Sequence, residues 1–201
     1  MVVLTCSDTS SLVVDKLCDM AEDRNVLVSC FYVDFAAREE QSPTNILGSL
    51  LRQIVAGLER IPDEIRRAFQ NNKKVIDGRR LRVVELVKML QTVTSLHSTF
   101  ICVDALDECV EGYRHEILDS LRQVLEESPN TRIFLTGRRH IRGEVGKYFC
   151  EKMIVLSTKP TQGDIVGYVR MRLSKDKSLD RIDGGLEDEI INSITENIPE
   201  T

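Results

Sequence analysis

Residues 99–109 read TFICVDALDEC, an apolar run that stops abruptly at Asp104, Asp107 and Glu108. A short, β-branched and aromatic run closed by polar residues is the pattern of a strand buried on both faces of a parallel sheet. In open parallel sheets ligands bind beyond the carboxyl ends of the strands, so Asp104 faces a crevice in this reading. A single aspartate there, close to bound phosphates, can hold Mg²⁺ directly or through its water shell, and the metal neutralises charge that builds up in phosphoryl transfer. Asp107 and Glu108 follow about one turn later, where they could orient or deprotonate an attacking water. The same acids would also suit a helix start, where the macrodipole alone favours carboxylates. Spacing leaves both readings open.

The remainder of the chain supplies a matching frame. Short β-rich runs alternate with longer helical stretches, which predicts an α/β fold with a mainly parallel sheet and helices on both faces. Helices are expected over 10–22, 42–58, from Pro62, over 81–96 and 113–128, and in the two amphipathic stretches 161–176 and 186–198. Their signals are 3.6-residue apolar stripes and polar caps. Strands are expected over 25–35 (NVLVSCFYVDF), at the opening stretch, over 131–138 (TRIFLTGR) and over 152–157 (KMIVLS). If the strand ending in Thr136 adjoins the one ending in Asp104, then acids, a hydroxyl and a cation (Arg138) converge. Taken alone, Arg138 and Arg139 read better as a surface pair.

Bulk properties limit what such a domain can be. The chain has 201 residues, 42% hydrophobic and 29% charged, a formal charge of -5, and a pI near 5.4. This composition is that of a soluble globular domain, and the acidic balance argues against a nucleic-acid-coating surface despite the local Arg79, Arg80 and Arg82 cluster. Six cysteines (Cys6, Cys18, Cys30, Cys102, Cys109, Cys150) lack any CxxC or Cys/His zinc spacing and read as reduced, packed thiols. No run approaches the roughly 18 apolar residues of a membrane span, and residues 1–30 lack a signal-peptide pattern. A cytoplasmic protein acting without membrane or nucleic-acid partners is expected.

The motifs also carry a family resemblance. VDALDEC after an apolar strand resembles the modified Walker B of the NACHT group of signal-transduction ATPases (STAND class), with small Ala105 after the first aspartate. FYVDFAAREEQSPTNILGSLLRQIV, residues 31–55, resembles the segment after the Walker A helix in nephrocystin-type N-terminal NTPase domains of fungal NACHT and ankyrin-repeat proteins. RIFLTGRR resembles their sensor strand, and DIVGYVRMRL the helix after the fifth strand. The similarity spans about residues 10–198. It implies a P-loop NTPase fold and a switch driven by ATP and Mg²⁺, with attached repeat or effector domains and oligomerisation of the full-length protein. Position by position, it implies that Asp104 coordinates Mg²⁺, that Asp107 and Glu108 serve the hydrolytic water, and that Thr136 and Arg138 sense the nucleotide. Asp34 matches a commonly acidic position, with a folding role as open as a chemical one.

The resemblance fails at the phosphate site. A P-loop needs GxxxxGK[ST], whose glycines let backbone N–H groups close around phosphates while the lysine reaches the outer oxygens. The first glycine is Gly48, and the Gly146-Lys147 pair has Ile141 and Tyr148 at the positions of the first glycine and the hydroxyl. Two explanations follow, a truncated gene product or a degenerate relative that has given up ATP, and truncation is favoured, with the end near Pro199 pointing the same way. The whole chain then reads as one partial NTPase domain, core about 10–173, with 174–201 opening a helical region. In this class the P-loop strand lies between the fifth and fourth strands, and only Val2, Val3 and Leu4 can fill that slot, so they are expected to form a short strand. Three functions stand: a partial ATP-binding switch domain, an inactive protein-interaction scaffold of the same fold, and an unrelated Mg²⁺-dependent phosphatase using Asp104. Weak or absent ATP binding and negligible turnover are expected of the chain as it stands.

Overall fold

The computed structural model describes residues 2–5, 10–24, 26–74, 81–149, 153–156, 162–175 and 189–194. It divides into two compact units, Met1–Ser157 and Thr158–Thr201. In the first unit the elements run β1 (Val2–Thr5), α1 (Ser10–Arg24), β2 (Leu27–Tyr32), α2 (Pro43–Ala56), α3 (Asp63–Lys74), α4 (Val83–Thr94), β3 (Thr99–Asp104), α5 (Glu111–Glu127), β4 (Thr131–Thr136), α6 (Arg142–Phe149) and β5 (Met153–Val155). The second unit contains α7 (Gln162–Lys175) and a helical segment at 189–194; residues 186–188 and 195–198 of the second amphipathic stretch lie outside the described residues, as do Arg79, Arg80, Cys6 and Cys150.

Five strands form one sheet in the order β2-β3-β4-β1-β5, and all four pairings are parallel. Val2–Thr5 occupy the slot expected of them, pairing with β4 on one side and β5 on the other, so the backbone of the sheet is continuous through its centre. The period of two then sorts the side chains. In one row Ser29, Ile101, Ile133, Val2 and Met153 are register partners, and this face packs on the main core. In the next row Cys30, Cys102 and Phe134 face the other way and meet Val13, Val14 and Leu17 of α1.

The main core is built by α2, α4 and α5. Ser42 caps α2 through Asn45 N, Pro43 sits in its first turn, and Ile46, Leu47, Leu50, Leu51 and Ile54 form a stripe with no exposed surface. On α5 the stripe Ile117, Leu118, Leu121 and Val124 is equally buried. Helices thus cover both faces of a parallel sheet, as the alternating pattern predicts. α6 is a helix that the sequence reading passed over, because its eight residues carry only two buried apolar anchors, Val145 and Phe149.

β2 is an edge strand, and its outer side is closed by a side chain. Gln53 of α2 accepts from Cys30 N at 3.0 Å and donates to Cys30 O at 2.8 Å, imitating the missing neighbour. Unpaired backbone groups at a sheet edge invite pairing with another chain, and this amide blocks the middle of the strand.

Candidate functional site at the carboxyl ends of the strands

β3 and β4 are neighbours, and their ends meet side by side. Thr136 Oγ1 donates to Asp104 Oδ1 at 2.5 Å and accepts from Ala105 N at 2.8 Å. One buried hydroxyl therefore ties the first aspartate and the following backbone to the neighbouring strand. Ala105 adopts the left-handed conformation (φ 54°, ψ 43°), unique among the described non-glycine residues. That conformation costs an L-residue on the order of 1 kcal/mol. It turns the chain sharply out of the sheet into a 3-10 turn, Leu106–Glu108.

The turn separates the acids from α5. Val110 is the N-cap of that helix and makes no side-chain capping bond, so Asp107 and Glu108 are not its caps. Instead Asp107, whose side chain is 6% exposed, accepts from Arg138 N at 3.2 Å and faces Arg138 Nε at 3.3 Å. Glu108 is the more open acid, 29% exposed, with Arg138 Nη2 at 4.0 Å. Arg138 itself is 75% exposed and forms the N-cap of a 3-10 turn, Arg139–Ile141. The four groups singled out around Asp104 are thus brought together by two adjoining strand exits.

Gly137 makes the approach of these exits feasible. A Cβ at that position would stand 2.5 Å from Ile141 Cδ1 and 3.3 Å from Asp107 Oδ1, so any side chain would displace the ion-paired acid or the buried isoleucine. Asp34 sits apart. Its carboxylate accepts from Ala36 N at 2.9 Å and caps the 3-10 turn Phe35–Ala37, and its backbone is held by Gln41.

Sequence reasoning missed a buried cation behind the acids. Arg114 of α5 donates through Nε to both carboxylate oxygens of Glu144 at 2.9 Å, and through Nη1 to Cys109 O at 3.2 Å and Asp107 O at 3.4 Å. The signal was present in the helical spacing, since Arg114 sits at the head of the stripe Ile117, Leu118, Leu121. An arginine in an apolar stripe demands a partner. Cys109, next to these contacts, is a buried thiol pushed up to about 11 by burial, with Asp107 and Glu108 adding to the rise and Arg114 opposing it.

The donor chemistry can be matched against Mg²⁺. Asp104 Oδ1 is engaged by Thr136, while Oδ2 has no hydrogen bond among the described residues. No group of three or more His, Cys, Asp or Glu side chains among the described residues is set to enclose a metal. One hard carboxylate oxygen suits Mg²⁺, which keeps several waters and takes the rest of its shell from phosphate oxygens. The residues therefore fit a metal held with a phosphate ligand and do not form an all-protein cage.

An all-parallel sheet of order 2-3-4-1-5, with carboxylates at the end of the strand next but one to β1, defines an α/β domain of the P-loop NTPase class. The model of the family described as nephrocystin 3, N-terminal, matches residues 6–138, more than half of the chain, and the chain belongs to that family. Among solved structures, the ORC1 protein of Aeropyrum pernix in complex with DNA is 18% identical, with a TM-score of 0.51 over 87% of this chain and 43% of that one. A Walker-type ATPase of Pyrococcus abyssi is 12% identical, with a TM-score of 0.46 over 96% of this chain and 57% of that one. The chain spans less than half the length of the ORC1 protein, and the likeness to it is one of fold. Comparison with curated proteins returns no significant match. No described helix is long and apolar enough to cross a membrane.

Proposed function

We propose that this chain is the nucleotide-responsive domain of a signal-transduction switch of NACHT type, in which the strand exits of β3 and β4 form the metal side of an ATP site. The observation that supports this most is the pairing of Asp104 and Thr136 on neighbouring parallel strands, with no hydrogen bond to Asp104 Oδ2 among the described residues. Mg²⁺ held there with a triphosphate would neutralise charge on the phosphoryl oxygens. Asp104 is the ligand to that metal. Glu108, the more exposed of the two following acids, addresses water, and Asp107 orients Arg138. Thr136 and Arg138 register whether the γ-phosphate is present. Attached repeat or effector domains, and assembly of a longer protein, belong to the same reading.

The phosphate side is the weak half. Residues 6–9, CSDT, join β1 to α1 where a P-loop would stand; they lie outside the described residues and contain neither glycine nor lysine. Without a backbone cradle and a lysine, carboxylates repel an anion that arrives without its metal. With this connection the chain is a weak or non-binder of ATP, with negligible turnover. The alternative is a scaffold of the same fold that works by protein contacts, favoured by the way Asp107 and Arg138 already neutralise one another.

Nucleotide binding with and without Mg²⁺, measured on this chain and on a version with GxxxxGKT in place of residues 6–9, separates the two. Binding that appears with the inserted loop, depends on Mg²⁺ and is lost on Asp104→Ala supports the switch. Absence of binding in the restored version refutes it and leaves the scaffold.

A further inference from the structure

The polar contacts behind the acidic turn close into a ring. Arg114 on α5 holds the carbonyls of Asp107 and Cys109; the Asp107 carboxylate holds the backbone and guanidinium of Arg138; Arg138 opens the turn that runs into α6; and Glu144 of α6 returns to Arg114. Arg114 is 9% exposed, and the Glu144 side chain 15%. Breaking such a pair leaves a charge with poor hydration, so the ring holds or fails as a unit. Glu144 is further approached by His115 Nδ1 at 3.6 Å, and His115 Nδ1 also lies 3.0 Å from the Tyr148 hydroxyl.

We propose that Arg114 is a positioning residue that keeps the Asp107–Glu108 turn in register with Arg138, so that a change at either strand exit is felt at α6. A guanidinium is needed for this work. Its Nε meets both oxygens of a carboxylate and its Nη1 two loop carbonyls, whereas the point charge of lysine could keep Glu144 but not both carbonyls. The consequence extends beyond the nucleotide reading, because the ring closes without any ligand.

Native-state hydrogen exchange at four amides tests this. Glu108 N and Cys109 N are bonded within the turn (to Ala105 O at 2.9 Å and Leu106 O at 3.2 Å), and Arg138 N is bonded to Asp107 Oδ1 at 3.2 Å. Cys30 N, on the outer side of edge strand β2 and bonded to Gln53, outside the ring, is the control. In Arg114→Lys, and in the milder Glu144→Gln should the first fold poorly, Glu108, Cys109 and Arg138 are expected to exchange about tenfold faster with Cys30 unchanged, the pattern of a local opening. A rise shared by Cys30 would mean that Arg114 serves only global stability and would overturn the proposal. So would acceleration confined to Glu108 and Cys109 with the Arg138 amide still protected, or no acceleration at any of the four.

Discussion

Replacing Thr136 by valine isolates the chemistry of one buried hydroxyl. Valine matches threonine in shape, so the fully buried site gains no cavity. Two bonds go at once. The N–H of Ala105 loses its acceptor at 2.8 Å, and Asp104 Oδ1 loses its donor. An unpaired buried donor costs about 1–3 kcal/mol, and the carboxylate, being partly exposed, recovers much of its loss from water, so roughly 1 kcal/mol is added there. The sum, about 2–4 kcal/mol, is a large fraction of the roughly 5–15 kcal/mol that stabilises a typical domain. Thr136→Ser keeps the hydroxyl and drops a methyl group, at about 1 kcal/mol. In urea, with a slope of about 2 kcal/mol per molar, Thr136→Val should shift the midpoint down by about 1–2 M and Thr136→Ser by about 0.5 M, with slopes unchanged. Midpoints for the two variants that agree to within about 0.2 M would show that the hydroxyl does not hold these strand ends together.

Three other outcomes follow from the geometry. Gly137→Ala should destabilise by about 1–3 kcal/mol through the clash with Ile141 Cδ1, and combining it with Ile141→Val, which removes that atom, should cost less than the sum of the single changes in chemical denaturation. Gln53→Leu should remove about 1–2 kcal/mol and, by opening the edge of β2 at Cys30, produce concentration-dependent association detectable by light scattering; a variant that stays monomeric contradicts the edge-cap assignment. Burial pushes the Cys102 thiol up to about 12 and Cys109 up to about 11 from an ordinary 9.0. The native state thus keeps protons that the unfolded chain gives up, so their stabilising contribution is full below pH 9 and is lost as pH rises from 9 toward 11 to 12, at no more than about 1.4 kcal/mol per pH unit for each thiol. A Cys102→Ala, Cys109→Ala variant should show a flatter decline over that window, and an unchanged slope would refute the assignment.

Much of this arrangement is written in local patterns. The strand character of TFICVD and TRIFLT follows from β-branched and aromatic content, and the polar residue ending each run marks the side of the sheet where a site can form. The slot filled by Val2–Thr5 was legible only through topology, since a four-residue strand has almost no periodicity of its own. What was not legible was long-range. The ion pair of Asp107 with Arg138 joins residues 31 apart, and that of Arg114 with Glu144 residues 30 apart, so no window of helical or strand periodicity contains either. Ala105 could be read as small but not as left-handed, because the Thr136 hydroxyl that holds its backbone N–H lies 31 residues further along the chain.

These long-range bonds change what the acidic cluster can be taken to mean. Asp104 is held by Thr136, Asp107 by Arg138, and the carbonyls of the turn by Arg114, so each acid in the group has a protein partner that lowers the free energy of the folded chain without any nucleotide. Buried polar groups are expensive when unsatisfied and cheap to keep when satisfied. Loss of ATP binding would therefore put no immediate strain on this end of the sheet, and removal of Arg138 or Thr136 would strain it at once. An intact acidic end is compatible with both the switch and the scaffold, and the two readings part at the connection between β1 and α1. On the switch reading, the residues placed at 6–9 decide whether a triphosphate is cradled, and Asp104, whose Oδ2 has no hydrogen bond among the described residues, would hold a metal only with that cradle in place.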